Sequence, residues 1–354
     1  MAPVIKELEE HPDEYDSVVC VTAQHREMLD QVLDLFQITP DHDLDLMQEA
    51  QSLSGLTARV FKALDPVLIE EHPDWVLVQG DTTTVMAASL AAFYHQIKVG
   101  HVEAGLRTGD KWQPFPEEIN RKIAGTVADL HFAPTTTARD HLLAEGVDPC
   151  IVHVTGNPVI DALHMAAEMP YDLDQGPLAD IPWDKEVILV TAHRRENFGE
   201  PLQDICSAIT SIADTYRERV HFVYPVHYNP NVWKPVHEAL GVLPNVTLLE
   251  PLAYLSLVKL MERSHLVLTD SGGIQEEAPG LGKPVLVLRE KTERPEGVEA
   301  GTCKLVGTDE GMIIQAVTEL LEDEGAYQAM AQAVNPYGDG RSAQRIVNIL
   351  LEHM

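Results

Sequence analysis

Asp81, Glu103, His193 and Ser271 each stand directly after a short apolar run, where the strand ends of an α/β sheet present side chains to a ligand. Two of these are carboxylates, and Glu117 and Glu118 add another pair just behind Pro116. Positioned carboxylates move protons, which is worth about 10²–10⁴ in rate per group. His193 opens the run His193-Arg194-Arg195-Glu196-Asn197. Two adjacent arginines in a chain of 56 acidic and 25 basic residues point to an anion that local cations must hold against the overall field. The planar guanidinium fork suits a diphosphate, and Arg289 and Arg294 extend the cationic set. Ser271-Gly272-Gly273 is a strand-to-helix turn whose small residues let backbone N–H groups approach a phosphate, with positive partial charge from the helix N-terminus behind them.

Several of these residues have a plainer alternative. Asp81 in GDTTT suits a helix cap. Glu117 and Glu118, and likewise Glu276 and Glu277, fall in first helical turns where carboxylates stabilise the dipole. Ser271 caps a tight turn equally well. His227, in PVHYNP at a further strand end, is open between core and site. Glu103, beside Gly105 and Arg107 at the end of an apolar strand, has no capping duty.

The elements that must hold these groups alternate. Strands are expected at Ser17–Thr22, Trp75–Gln79, Lys98–Val102, Leu130–Ala133 and Ile151–Thr155, then at Glu186–Thr191, His221–Val226, Val246–Leu249, Leu266–Thr269, Pro284–Leu288 and Cys303–Val306. Amphipathic or apolar helical stretches separate them, among them Leu53–Glu71, Val85–Tyr94, Glu117–Ala128, Val159–Glu168, Tyr254–Arg263 and Ser342–Glu352. Strand-helix alternation twice over predicts an α/β protein with two Rossmann-like, doubly wound domains facing a cleft. Met169–Lys185, rich in Pro, Asp and Gly, is the expected linker. That sets an N-terminal domain of residues 1–168, completed by the C-terminal helix 341–354, and a nucleotide-binding domain of residues 169–340.

Length and composition agree: 354 residues suit two domains, and 45% hydrophobic content is ordinary for a globular protein. A net charge of −31 excludes a general nucleic-acid or anionic-membrane surface. No apolar run nears the ~18 residues of a membrane helix, and Met1–Glu10 has no signal-peptide core, so a cytoplasmic enzyme is expected. Cys20, Cys150, Cys206 and Cys303 form no CxxC pair, which argues against a structural zinc or a disulfide framework. There is no GxGxxG behind a strand, no P-loop, no HExxH and no GxSxG. The residues alone thus indicate an enzyme that binds a phosphorylated, nucleotide-bearing ligand and moves protons with carboxylates.

The segments VTAQHREMLDQVL (Val21–Leu33), GDTTT (Gly80–Thr84), GHVEAGLRTGD (Gly100–Asp110), PEEINR (Pro116–Arg121), TAHRREN (Thr191–Asn197), TDSGGIQEEAP (Thr269–Pro279) and TERPEG (Thr292–Gly297) resemble the bacterial non-hydrolysing UDP-N-acetylglucosamine 2-epimerases along essentially the whole chain. The resemblance implies a glycosyltransferase-B type fold and interconversion of UDP-N-acetylglucosamine with UDP-N-acetylmannosamine. UDP would be eliminated to give a 2-acetamidoglucal and then re-added, supplying N-acetylmannosamine for cell-surface polysaccharide. It implies that Ser271, Gly272 and Gly273 hold the diphosphate, with Arg194 also on the substrate. Glu277 would take the ribose hydroxyls, and Arg294 is a nucleotide-side cation. His193 would lie near the breaking C1–O bond, and Asp81, Glu103 and Glu117 would do the acid–base work. It implies a homodimer with no metal, nicotinamide or other cofactor. It also implies a second substrate molecule as allosteric activator near Gln24, Arg195 and His227. A hydrolysing relative, a glycosyltransferase of similar fold and a degenerate UDP-sugar-binding protein are the competing expectations.

One departure stands out. The family opens with a strand and a GTRPEAIK-type turn, and this chain begins MAPVIKELEE, where that motif ends. The first strand of the N-terminal domain is therefore expected to be missing, which would expose a sheet edge and part of a core. On that expectation the chain as written is unstable or poorly active, and adding the segment restores turnover; equal activity in both forms would contradict it.

Overall fold

The computed structural model describes residues 1–22, 26–46 and 51–353. The chain forms two compact units, Met1–Ala162 with Tyr337–Met354, and Leu163–Pro336. In the first, β1 (Cys20–Val21) and β2 (His42–Asp43) make a short parallel pair, so only two residues of the strand expected at Ser17–Thr22 are paired. A separate parallel sheet runs β3 (Trp75–Gln79), β4 (Lys98–Val102), β5 (Leu130–Ala133) and β6 (Val152–Val154). Alternation along a strand sends successive side chains to opposite faces. Val99 therefore packs with Val85, Ala92 and Ala124 from helices Thr83–Tyr94 and Glu117–Val127. Val102 faces the other way, onto Val4 and onto Ile346, Val347 and Leu350 of helix Ser342–Glu352.

The second unit holds β7 (Glu186–Thr191), β8 (Val220–Pro225), β9 (Val246–Leu249), β10 (Leu266–Thr269), β11 (Val285–Val287) and β12 (Cys303–Leu305). Its sheet is parallel, in the order β12-β11-β10-β7-β8-β9. Ile188, Val190, Phe222, Tyr224, Leu266 and Leu268 bury one face against helices Glu200–Thr215 and Glu310–Glu322. Val187, Leu189, Val223, Val267 and Val285 bury the other against helices Tyr254–Arg263 and Gly272–Gly280. Both units are thus Rossmann-like layers with helices on both faces, as the alternation implied. The Met169–Lys185 stretch, expected as a linker, lies inside the second unit. Its Leu178 and Ile181 are buried in that core, with Trp183 packed against them: Pro, Asp and Gly set its turns without keeping its apolar residues in water. Among the described residues no helix is long and apolar enough to cross a membrane.

Candidate active site

In the second unit the chain leaves β7 outward through β8 and β9, then returns to place β10 on the opposite flank of β7. That reversal is a topological switch point, where the loops beyond the strand ends part and leave room for a ligand. His193 follows β7, and Asp270 and Ser271 follow β10. Asp270 is fully buried, and its Oδ2 accepts from the backbone N–H of His193 and of Arg194, each at 2.8 Å, and from Nδ2 of Asn197 at 3.0 Å. Asn197 also donates to the carbonyl of Leu288, which ties the turn to the loop after β11. His193 Nδ1 lies 3.7 Å from Asp270 Oδ1, and the ring stacks on His227 at 5.4 Å and 10°. The His193 side chain keeps 43% of its surface exposed, so the partial burial of the ring lowers its pKa only against the opposing pull of Asp270.

Ser271 occupies the N-cap position of helix Gly272–Gly280, yet its hydroxyl makes no capping bond. The plain capping alternative for Ser271 therefore does not hold; its backbone N–H instead donates to Thr269 Oγ1 at 2.9 Å. The first N–H groups of a helix have no intrahelical acceptor, so this end of the helix offers donors to an anion. A Cβ on Gly272 would lie 3.6 Å from Nη2 of Arg194, which places that guanidinium beside the turn. The cations do not form a free cluster. Arg194 sits 3.5 Å from Glu293, Arg289 bonds Glu196 at 2.6 Å, and Arg294 pairs with Glu276. Glu277 is buried one turn into the helix and accepts from the Tyr254 hydroxyl at 2.8 Å. Burial pushes the Glu277 carboxyl up to about 7, with Glu276 adding to it and the Tyr254 bond opposing.

In the first unit, register pairs Gln79 with Val102, so Gly80-Asp81 and Glu103 leave adjacent strands side by side. Glu103 has a left-handed backbone, φ 60°, and accepts from Gln79 Nε2 at 3.3 Å. Asp81 is not the cap of the next helix: Thr82 is, through its hydroxyl. Instead Asp81 forms an ion pair with Arg121, and its carbonyl accepts from Asn120 Nδ2 at 2.9 Å. Glu117 lies one helical turn before Arg121, so the two share a face of that helix. Arg121 also approaches Glu118 at 3.7 Å, and the buried Glu118 accepts from the backbone N–H of Thr108 and Gly109. Beneath the site the buried His101 ring bonds the carbonyl of Gly80 at 2.8 Å, and burial holds its pKa down at about 4.

The structure therefore sets Asp81 and Glu103 side by side at one strand edge, with Glu117 on the helix that Arg121 ties to Asp81, and places His193, Arg194, His227, Ser271, Gly272, Gly273 and Glu277 about another. Arg195 stands exposed in the turn after His193, and Arg294 reaches the Ser271 helix through Glu276. Gln24 lies outside the described residues. Sequence reasoning passed over Asp270, Tyr254 and Arg121. Asp270 directly follows a strand, the same signal that marked Asp81, and Arg121 sits at helical spacing from Glu117; nothing local marks Tyr254.

A family profile described as UDP-N-acetylglucosamine 2-epimerase matches residues 6–351. UDP-N-acetylglucosamine 2-epimerase of Escherichia coli K12 is 54% identical over 356 residues, covering 99% of this chain and 94% of that protein. The Bacillus subtilis enzyme of the same name is 54% identical over 353 residues, covering 100% and 92%. The crystal structure of a putative UDP-N-acetylglucosamine 2-epimerase from Listeria monocytogenes superposes with a TM-score of 0.94 at 49% identity, covering 100% of this chain and 92% of that one. The epimerase from Neisseria meningitidis, solved bound to UDP-GlcNAc, gives 0.87 at 50% identity, covering 99% and 96%. With strand-end carboxylates in one unit and a phosphate-suited turn in the other, this chain belongs to the UDP-N-acetylglucosamine 2-epimerase family.

Proposed function

We propose that the chain interconverts UDP-N-acetylglucosamine and UDP-N-acetylmannosamine without net hydrolysis, the second unit holding UDP and the first supplying acid–base groups. The C2 proton of the sugar is not acidic by itself. Breaking C1–O builds positive charge that labilises it, and the electron pair leaves on the diphosphate oxygen. A carboxylate among Asp81, Glu103 and Glu117 takes the C2 proton, giving a 2-acetamidoglucal and UDP. A proton returned to the opposite face of C2 and attack of the same diphosphate oxygen on C1 complete the epimerisation; no water is consumed and no redox partner is needed. Ser271, Gly272, Gly273, Arg194 and His193 stabilise the departing diphosphate, Glu277 takes ribose hydroxyls, and Arg294 acts on the nucleotide side through its tie to that helix.

The observation that supports this reading is the pair Asp81 and Glu103 on adjacent strand ends, with Arg121 of the Glu117 helix paired to Asp81, in a chain of this family. We further propose that it works in the cytoplasm as a homodimer, feeds N-acetylmannosamine to surface polysaccharide, and takes a second substrate molecule as activator near Gln24, Arg195 and His227. Incubation with UDP-N-acetylglucosamine in D₂O tests the chemistry. Deuterium at C2 of both retained UDP-sugars is expected. Free UDP with N-acetylmannosamine would indicate the hydrolysing reaction, and binding without C2 exchange a UDP-sugar-binding protein.

A further inference from the structure

We propose that Asp270 and His193 form a dyad in which the carboxylate orients the imidazole, turning Nδ1–H toward Asp270 and presenting Nε2 to the diphosphate. This rests on the reading of the second unit as the UDP site and makes Asp270 a positioning residue for it. The two oxygens of Asp270 are used very unequally. Oδ2 takes three donors, whereas the buried Oδ1 has no hydrogen-bond partner and faces His193 Nδ1 at 3.7 Å. A buried carboxylate oxygen without a donor is costly, and a ring swing of under ~1 Å would supply one. Catalytic hydrogen bonds are often long without ligand and tighten when it binds. Here the hinge is already set, because the backbone N–H of His193 is pinned to the other oxygen of the same carboxylate.

The groups facing the ring are Asp270, His227 and Arg194. Burial favours the neutral imidazole and Asp270 favours the cation, with the other two siding with burial. An arriving diphosphate adds negative charge on the Nε2 side. The ring then takes up a proton at Nε2 and stands as an imidazolium between two anions, aimed at the oxygen on which charge collects as C1–O breaks.

Asp270→Asn is the sharpest probe. Its amide oxygen can keep the three donors of Oδ2, which leaves the NH₂ pointing at Nδ1 and enforces the opposite tautomer. With full-length enzyme labelled with ¹⁵N-histidine, and His193→Gln to assign the signal, the neutral wild-type ring is expected as the Nδ1–H form. UDP is expected to raise the pH at which the ring becomes neutral. In Asp270→Asn the neutral ring should be the Nε2–H form, without that rise, and turnover should fall about 10²-fold or more while KM stays within about threefold. The double variant should be no slower than His193→Gln alone. A wild-type ring protonated at Nε2 only, a tautomer unmoved by Asp270→Asn, or additive losses in the double variant would overturn the dyad. If Asp270→Asn does not fold, the wild-type spectrum decides. Absence of C2 deuterium exchange in the wild type would instead sink the epimerase reading, while the tautomer remains measurable with UDP.

Discussion

The two strand edges hold their acidic groups by different means. At the β7–β10 edge a single buried carboxylate, Asp270, is fixed by two backbone N–H groups and one side-chain amide. At the β3–β4 edge, Asp81 is held by the Arg121 side chain and its neighbour Glu103 by Gln79, with Glu117 on the helix that carries Arg121. Backbone donors cannot rotate away, so the first arrangement is rigid, and on the proposed function it frames the diphosphate. Side-chain partners can exchange, and on the proposed function that suits carboxylates that gain and lose a proton through a cycle. On that proposal, one fold used twice separates electrostatic holding from proton transfer by what it puts opposite the carboxylate.

Breaking the side-chain web should have the largest effect. Arg121 is nearly buried between Asp81 and Glu118, and removing one partner of such a set strands the others, at a cost on the order of 3–5 kcal/mol. Arg121→Met is therefore expected to destabilise helix Glu117–Val127, seen as faster amide exchange there, with slow turnover. Exchange unchanged within about 1 kcal/mol would show that the web does not hold the edge together.

Glu103→Gln tests division of labour more narrowly. The variant retains the shape and the Gln79 contact, so UDP affinity by calorimetry should stay put while turnover drops about 10²-fold or more, near 2.7 kcal/mol of barrier. Near-normal turnover would remove Glu103 from the chemistry.

How much of this was legible in the sequence depended on what fixed each element. Trp75–Gln79 and Glu186–Thr191 have the bounds read from the chain, because continuous apolar runs mark strands; Glu186–Thr191 is buried on both faces, whereas Trp75–Gln79, at the edge of its sheet, is half-buried apart from Val78. The expected Ser17–Thr22 strand shrinks to Cys20–Val21 because strand length is set by a partner, and His42–Asp43 pairs with only two residues. Helix Pro295–Glu299 was not read because five residues cannot show a 3.6-residue period. The strand-end rule found Asp81, Glu103, His193 and Ser271. It gave no way to see that Thr82 would cap in place of Asp81, or that the Tyr254 hydroxyl would reach Glu277 from 23 positions away. Those are tertiary contacts, and local pattern carries no record of them.

The comparison also sets a pH dependence. Within the second unit burial raises the Glu277 carboxyl to about 7 from an ordinary value of 4.5. A raised folded-state pKa means the unfolded chain releases this proton first. The stability linked to it is complete below pH ~4.5 and is lost as pH climbs through about 7. Glu277→Gln keeps an acceptor for Tyr254 and cannot ionise. Relative to wild type the variant should gain on the order of 1–3 kcal/mol between pH 5 and pH 8.5 in urea unfolding. A difference that does not change with pH would mean that Glu277 is ionised throughout.

The smallest expected effect falls on the turn itself. Because the Ser271 hydroxyl makes no capping bond, its loss should leave the helix as stable as before, unlike an ordinary N-cap deletion at about 1 kcal/mol. On the proposed function, what Ser271→Ala removes is one donor to an anion that the N–H groups of Gly272 and Gly273 also meet. UDP affinity should weaken by about 0.5–1.5 kcal/mol, a few-fold to about tenfold, with turnover at saturation nearly intact. A loss of unfolding stability with unchanged UDP affinity would reverse the assignment, making Ser271 a structural cap and leaving the backbone alone to hold the phosphate.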